Sequence, residues 1–243
     1  MESGTLHRIR SNNVGRRPDL SREYEQRLVV KSLCTSEEQP LQLAYRLARE
    51  KLSGMDMKWQ CLRSGAQYVP PDRVTIEYLN RSYVMAIPGM EISLRDSPRR
   101  CEDIELTDRI LMLHYLITAK GTPATGKLIG LRQAPGGMCE HASFSREVLT
   151  PLLNHFGKEP ERLVEAAAKL GGTRVSYGDV AVSIKAFPRV SVVIVLWRGD
   201  DEFAPNASIL FDSTVTDYLS TEDMSVLCER IAGKLTHSRH NEG

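Results

Sequence analysis

No stretch of the 243 residues approaches the roughly 18 consecutive apolar residues of a membrane-spanning helix. The N-terminus, MESGTLHRIRSNNVGRRPDLSREYEQR, has neither an apolar h-region nor a small-residue cleavage site. A cytoplasmic protein is therefore expected. Charge of one sign is also scarce: 32 Lys and Arg against 31 Asp and Glu leave a formal net charge of +1. No global field steers such a chain toward nucleic acid or a charged membrane, and neither is expected as a partner.

Cysteine is sparse and dispersed. Cys34, Cys61, Cys101, Cys139 and Cys228 include no CxxC pair. That pattern fits reduced thiols rather than a disulfide framework or a closed zinc site, and it lacks the short-spaced runs that hold iron-sulfur clusters. Absent too are a Walker A loop, GxGxxG after a strand, HExxH, GxSxG and an EF-hand loop. With the common catalytic signatures missing, the reading leans away from an enzyme.

What is present is enough apolar material, 41% of the chain, for one large core. Residues 1–30 carry Arg8, Arg10, Arg16, Arg17, Arg22 and Arg27 without periodicity and read as a mobile basic tail. Residues 31–236 read as a single domain and 237–243 as a disordered C-terminal tail. Leu41, Ala44, Tyr45, Ala48 and Leu52 recur at helical spacing up to Gly54. VTIEYL and SYVMAI flank Asn80-Arg81 as a hairpin, with EISL as a third strand.

Thr107 is a candidate cap for DRILMLHYLITAKG, a helix apolar around much of its circumference and so central. KLIGLRQ reads as a strand, the Gly136-Gly137 turn leads to a helix from about Ser143 to Phe156, and EPERLVEAAAKL forms another. VSYGDVAVSIKAF, RVSVVIVLWRG and ASILFDS change to strand character, and a helix carrying Val226, Leu227, Ile231 and Leu235 on one face closes the domain. Strand groups alternate with helix groups without regular βαβ units. The expected class is α+β, with mixed, mainly antiparallel strands and about five helices.

Three places could carry chemistry. His114 lies in the apolar run LMLHYLI beside Tyr115, and a buried imidazole needs a hydrogen-bond partner or acts as a ligand. Against a satisfied core histidine stands an axial ligand to a metal or tetrapyrrole. At APGGMCEH, Gly136 and Gly137 open a turn before a helix start; Cys139 near such a terminus is a candidate thiolate, and His141 a candidate metal ligand or helper. The plain alternative is a turn with an incidental thiol. In LWRGDDEFAPNASILFD, Trp197 is a candidate stacking wall and Arg198 an anion clamp. Asp200, Asp201 and Glu202 offer oxygens, and Asp212 ends the next strand. There the alternative is a hairpin loop with solvated acids.

LAYRLAREKLSG, LMLHYLITAKGTPATGKLIGLRQAPGG, FSREVLTPLLNHFG, KLGG, FPRVSVVIVLWRGDDEFAPNASILFDS and YLSTEDMSVLCERI, in this order, resemble an uncharacterised family, domain of unknown function 3786. The resemblance spans about residues 41–236. It implies a protein of anaerobic bacteria and archaea, in a family sometimes fused to a cysteine-rich iron-sulfur segment similar to that of corrinoid proteins. This chain lacks that segment. The resemblance thus implies a tie to corrinoid or related cofactor chemistry and supplies no catalytic residues.

Within the matching segments, the candidate cofactor-binding positions are His114, Tyr115, Gly136, Gly137, Trp197, Arg198, Asp200, Glu202 and Asp212, and the candidate metal ligands are His114, Cys139 and His141. The leading expectation is a non-catalytic accessory protein of anaerobic metabolism. It would bind a tetrapyrrole, corrinoid or haem, or dock on a cofactor-carrying or redox partner. The alternatives are a small-molecule enzyme using Cys139 or the Asp200 and Asp212 acids, and a protein-interaction module.

Overall fold

The computed structural model describes residues 38–96, 104–199 and 202–237. The tail expected at 1–30 and, of that expected at 237–243, residues 238–243, together with Cys34, Cys101, Asp200 and Asp201, lie outside them, whereas His237 caps the last helix. The chain divides into Met1–Pro40 and a body from Leu41 to Gly243.

The fold is α+β. A four-stranded antiparallel meander holds β1 (Gln67–Val69), β2 (Arg73–Tyr78), β3 (Arg81–Ala86) and β4 (Glu91–Leu94) in sequence order. Period-2 alternation dictates its inner face: Val74, Ile76 and Tyr78 of β2, Tyr83 and Met85 of β3 and Ile92 of β4 are buried. The β2–β3 turn is Leu79-Asn80, both with positive φ, +47° and +63°, one residue earlier than the sequence suggests. A two-residue turn that matches strand twist demands this conformation. Leucine rarely adopts it; here the Leu79 side chain is buried and its N–H donates to Ala186 O at 3.0 Å, joining the meander to the second sheet.

That second sheet has the order β5-β9-β8-β7-β6, all antiparallel: β5 (Leu128–Gly130), β6 (Thr173–Val175), β7 (Val180–Phe187), β8 (Val190–Trp197) and β9 (Asn206–Asp212). β8, VSVVIVLW, is apolar almost throughout because it is central and buried on both faces. Val192, Ile194 and Leu196 join the main core, while Val193 and Val195 meet Ala181 in a smaller cluster on the opposite face.

Helix α1 (Glu38–Ser53) buries Ala48 and Leu52. Helix α2 (Met57–Ser64) is an addition to the elements expected from sequence, although Asp56 accepts from the N–H groups of Lys58 and Trp59 and Gly65 closes it at φ +75°. Such a cap contributes about 1 kcal/mol. Gln60 of α2 donates its amide to Leu116 O at 2.7 Å, tying α2 to the central helix α3 (Leu106–Thr118). Ile110 to Leu113, Tyr115 and Leu116 of α3 are buried, as its all-round apolarity requires.

The helix expected from Ser143 begins earlier. Helix α4 (Gly137–Phe144) passes through a π turn, Ser145–Leu149, into α5 (Thr150–Phe156). Thr150 N–H reaches back to Ser145 O, and Pro151 has no N–H to restore the ordinary ladder. Helix α6 (Arg162–Ala168) and the closing helix α7 (Thr221–Thr236) complete the layer. Between helices and sheets runs an aromatic column. Tyr115 stacks on Phe187 with centroids 4.3 Å apart, and Phe187 meets Tyr78 at 4.9 Å.

Candidate functional site

His114 sits past the middle of α3 with its side chain 32% exposed. Its Nδ1 lies 2.8 Å from Asp223 Oδ1, in the first turn of α7. The other carboxylate oxygen accepts Ser220 Oγ at 2.7 Å, and Ser220 is also the α7 N-cap. The hydrogen bond from Asp223 outweighs desolvation and holds the imidazole above its ordinary 6.5. Burial would raise Asp223, but the bonds from His114 and Ser220 keep its carboxyl below the usual range. With Nδ1–H donated to the carboxylate, any donor role falls to Nε2.

The glycine turn is a neighbour of this pair. Thr221 Oγ1 donates to Pro135 O at 2.6 Å, fastening the turn to the start of α7, two residues before Asp223. Gly136 is left-handed at φ +77°, and a Cβ on Gly137 would stand 1.8 Å from Leu131 O. Both glycines are therefore required by the chain path. Cys139 is exposed and His141 half-buried on α4. The expected metal set of His114, Cys139 and His141 does not assemble: among the described residues no three or more His, Cys, Asp or Glu side chains gather to hold an ion.

Tyr115 does not line a site. It is fully buried, its hydroxyl donating to Ser64 O and accepting from Arg189 N–H at 3.1 Å, and burial pushes its phenol well up. Neighbours in sequence on a helix face different ways, so His114 reaches the surface while Tyr115 enters the core.

The 197–212 stretch splits in two. Trp197 is opposite Asn206 in the register, whereas Asp212 closes the far end of β9 against Leu128, about 20 Å away at strand rise. Arg198 and Glu202 do share a groove of about 540 Å³ with Lys158 and Phe203. Arg198 is also engaged: its N–H donates to Asp179 Oδ2 at 2.8 Å and its guanidinium reaches Glu161 at 3.2 Å.

Asp212 is a clamp. Its carboxylate accepts the N–H groups of Thr125, Gly126 and Thr214 and the hydroxyls of Thr125 and Thr214. Desolvation would raise it, but these bonds, led by Thr214, bring it down to about 2. Asp212, the described member of the expected acid pair, is thus engaged with Thr125, Gly126 and Thr214.

Two carboxylates have partners that the sequence does not announce. Asp223 reads as a first-turn acid, and only its three-residue offset from Ser220 hints at more. Asp108, also on α3 and 4% exposed, accepts Tyr78 Oη at 2.9 Å and Arg230 Nε and Nη2 at 2.8 and 3.1 Å. Arg230 Nη1 extends the network to Glu105 at 2.6 Å.

A family model described as a domain of unknown function, DUF3786, matches residues 56–234, from the Asp56 cap of α2 to the last turn of α7. No curated protein and no solved structure matches the chain. Among the described residues no helix is long and apolar enough to cross a membrane.

Proposed function

The chain belongs to the DUF3786 family of domains of unknown function, and from that premise we propose a cytoplasmic, non-catalytic binding protein of anaerobic metabolism. His114 would hold a tetrapyrrole, corrinoid or haem, through its imidazole, the group being carried by this chain or by a docked partner. The observation that supports this reading is the His114 and Asp223 pair. A carboxylate on Nδ1 fixes the tautomer and ring orientation and raises the basicity of Nε2, as outer-shell partners do for metal-binding imidazoles.

The donor set fits a metal that brings its own equatorial ligands. A bare ion would need three or more protein donors, and none converge among the described residues. One imidazole would suffice to hold such a group. Lys51 stands near enough to oppose protonation of His114, and its ammonium would suit the propionates of a haem. A bound corrinoid or haem would supply the redox or group-transfer chemistry of its own metal. Ser220 holds Asp223, Asp223 holds His114, and His114 must shed a proton before it ligates, so affinity rises with pH through the histidine titration.

The test is the ultraviolet-visible spectrum of anaerobically prepared protein titrated with cobalamin and with haem. Wild type should show a shifted band, His114→Ala should lose it, and Asp223→Asn should weaken it. Unchanged spectra in wild type, or a band that persists in His114→Ala, would leave the pair as a clamp between α3 and α7 and remove the proposal.

A further inference from the structure

The other end of α7 carries a different kind of site. Arg81 opens β3, Lys169 follows α6, Lys234 lies in the last turn of α7 and His237 ends it. With Tyr78 and Tyr83 these four side chains line a cavity of about 490 Å³ whose remaining walls are Leu79 and Leu170. No acid is among the described residues that line it. The carboxylates nearby, Asp108 and Glu105, are committed to Arg230, with Lys234 Nζ 3.5 Å from Asp108.

Those four charges balance one another, so Arg81 and Lys169 set a positive surplus at the mouth. Lysines at helix C-termini also offset the macrodipole, which accounts for Lys169 and Lys234 in part. Arg81 is on a strand, where no dipole calls for it. The volume falls within the range of about 300–1,000 Å³ typical of small-ligand pockets.

We propose that this cavity binds a small organic phosphate, an anion of at least two charges, with Arg81 as its forked anchor and Lys169 as a point charge beside it. A guanidinium matches two phosphate oxygens at once, and ammonium groups supply undirected charge beside it. Leu79, Leu170 and the Tyr83 ring offer apolar contact to the organic body. Tyr83, two residues along β3 from Arg81, has its phenol raised by burial. The cavity lies about three helical turns along α7 from Asp223, so it is separate from the His114 site.

Titration calorimetry of the full chain at low salt with sodium pyrophosphate tests this. Binding is expected, weakened about tenfold or more in Arg81→Gln and in Lys169→Gln and unaltered in Lys127→Gln, an exposed cation on another face. Citrate, highly charged but without phosphate, should bind about tenfold more weakly. Acetylation of Lys169 in wild type, followed by mass spectrometry, should slow with pyrophosphate present. No binding heat, equal losses in Lys127→Gln, citrate as tight as pyrophosphate, or unprotected Lys169 would each overturn the assignment.

Discussion

His114 and Asp223, 109 residues apart in the chain, meet Nδ1 to Oδ1 at 2.8 Å and join the central helix to the start of the last one. The contact is half-buried on the histidine side and nearly closed on the carboxylate side, at 32% and 12% exposure.

The first prediction concerns its titration. The Asp223 hydrogen bond holds folded His114 above 6.5, so the stability it contributes is fully present below the unfolded value and is lost as pH rises through the folded one. A histidine-resolved NMR titration should place His114 above 6.5 in wild type and lower in Asp223→Asn, where desolvation and Lys51 are opposed only by Glu222. A wild-type midpoint at or below the ordinary value would show the pair to be uncharged.

Asp212 gives the opposite pH sense. Its carboxyl is lowered from 3.8 to about 2, so its contribution is present above the unfolded pKa and fades as pH falls through the folded one. Urea midpoints of wild type should drop between about pH 4 and pH 2, and Asp212→Asn should flatten that drop. Asp212→Ala, which strands three N–H groups, should cost about 2 kcal/mol at neutral pH.

The paired glycines should separate cleanly. Gly137→Ala drives a Cβ into the Leu131 carbonyl and should cost about 3 kcal/mol or more. Gly136→Ala meets no atom within 4 Å and bears only the left-handed backbone penalty, about 1 kcal/mol. Thermal melts followed by circular dichroism distinguish the two, and equal losses would contradict the geometry.

Asp108→Ala takes the Nε and Nη2 partner from half-buried Arg230, leaves it only Glu105 and should cost about 3 kcal/mol, whereas Tyr78→Phe should cost about 1 kcal/mol. A double-mutant cycle in urea should return a coupling between them, because the phenol donates to that carboxylate at 2.9 Å. Additive losses would dissolve the network.

Thiol reactivity follows exposure. Burial pushes Cys61 up to about 11 and Cys228 higher still, while Cys139 lies on the surface. Peptide mapping after brief maleimide treatment of native protein should find Cys139 labelled and Cys61 and Cys228 untouched. Labelling of Cys228 without denaturant would mean that α7 opens.

Elements with a strong period are legible in the amino-acid sequence. VTIEYL and SYVMAI pair as read, EISL is β4 residue for residue, and the all-round apolarity of LMLHYLI puts α3 in the centre. Short pieces are not. β1 spans three residues, too few for alternation to register, and α2 is a short, weakly amphipathic helix whose Asp56 and Gly65 signals bracket little periodicity. The helix starts at Gly137 rather than Ser143 because glycines read as a loop, whereas here close packing on Leu131 requires them inside the turn.

The sites show a sharper limit. His114 stands out because an imidazole is conspicuous in an apolar run. Asp223 and Asp108 do not, since one acid at a helix start resembles any other until the fold supplies its partner. Arg81, Lys169 and Lys234 come from three elements that only folding brings together. Trp197 and Asp212 group together by closeness in sequence, yet the antiparallel pairing of β8 with β9 carries them to opposite ends.

A hairpin tip is ordinarily where a sheet first frays. The tip between β7 and β8, Pro188-Arg189, is fastened from beneath: Arg189 N–H donates to a phenol that is itself donated to Ser64 O and stacked on Phe187. An amide on the surface thus borrows its hydrogen-exchange protection from the core. Its opening breaks a bond to the central helix, so this outward-facing turn should exchange more slowly than its exposure alone would allow.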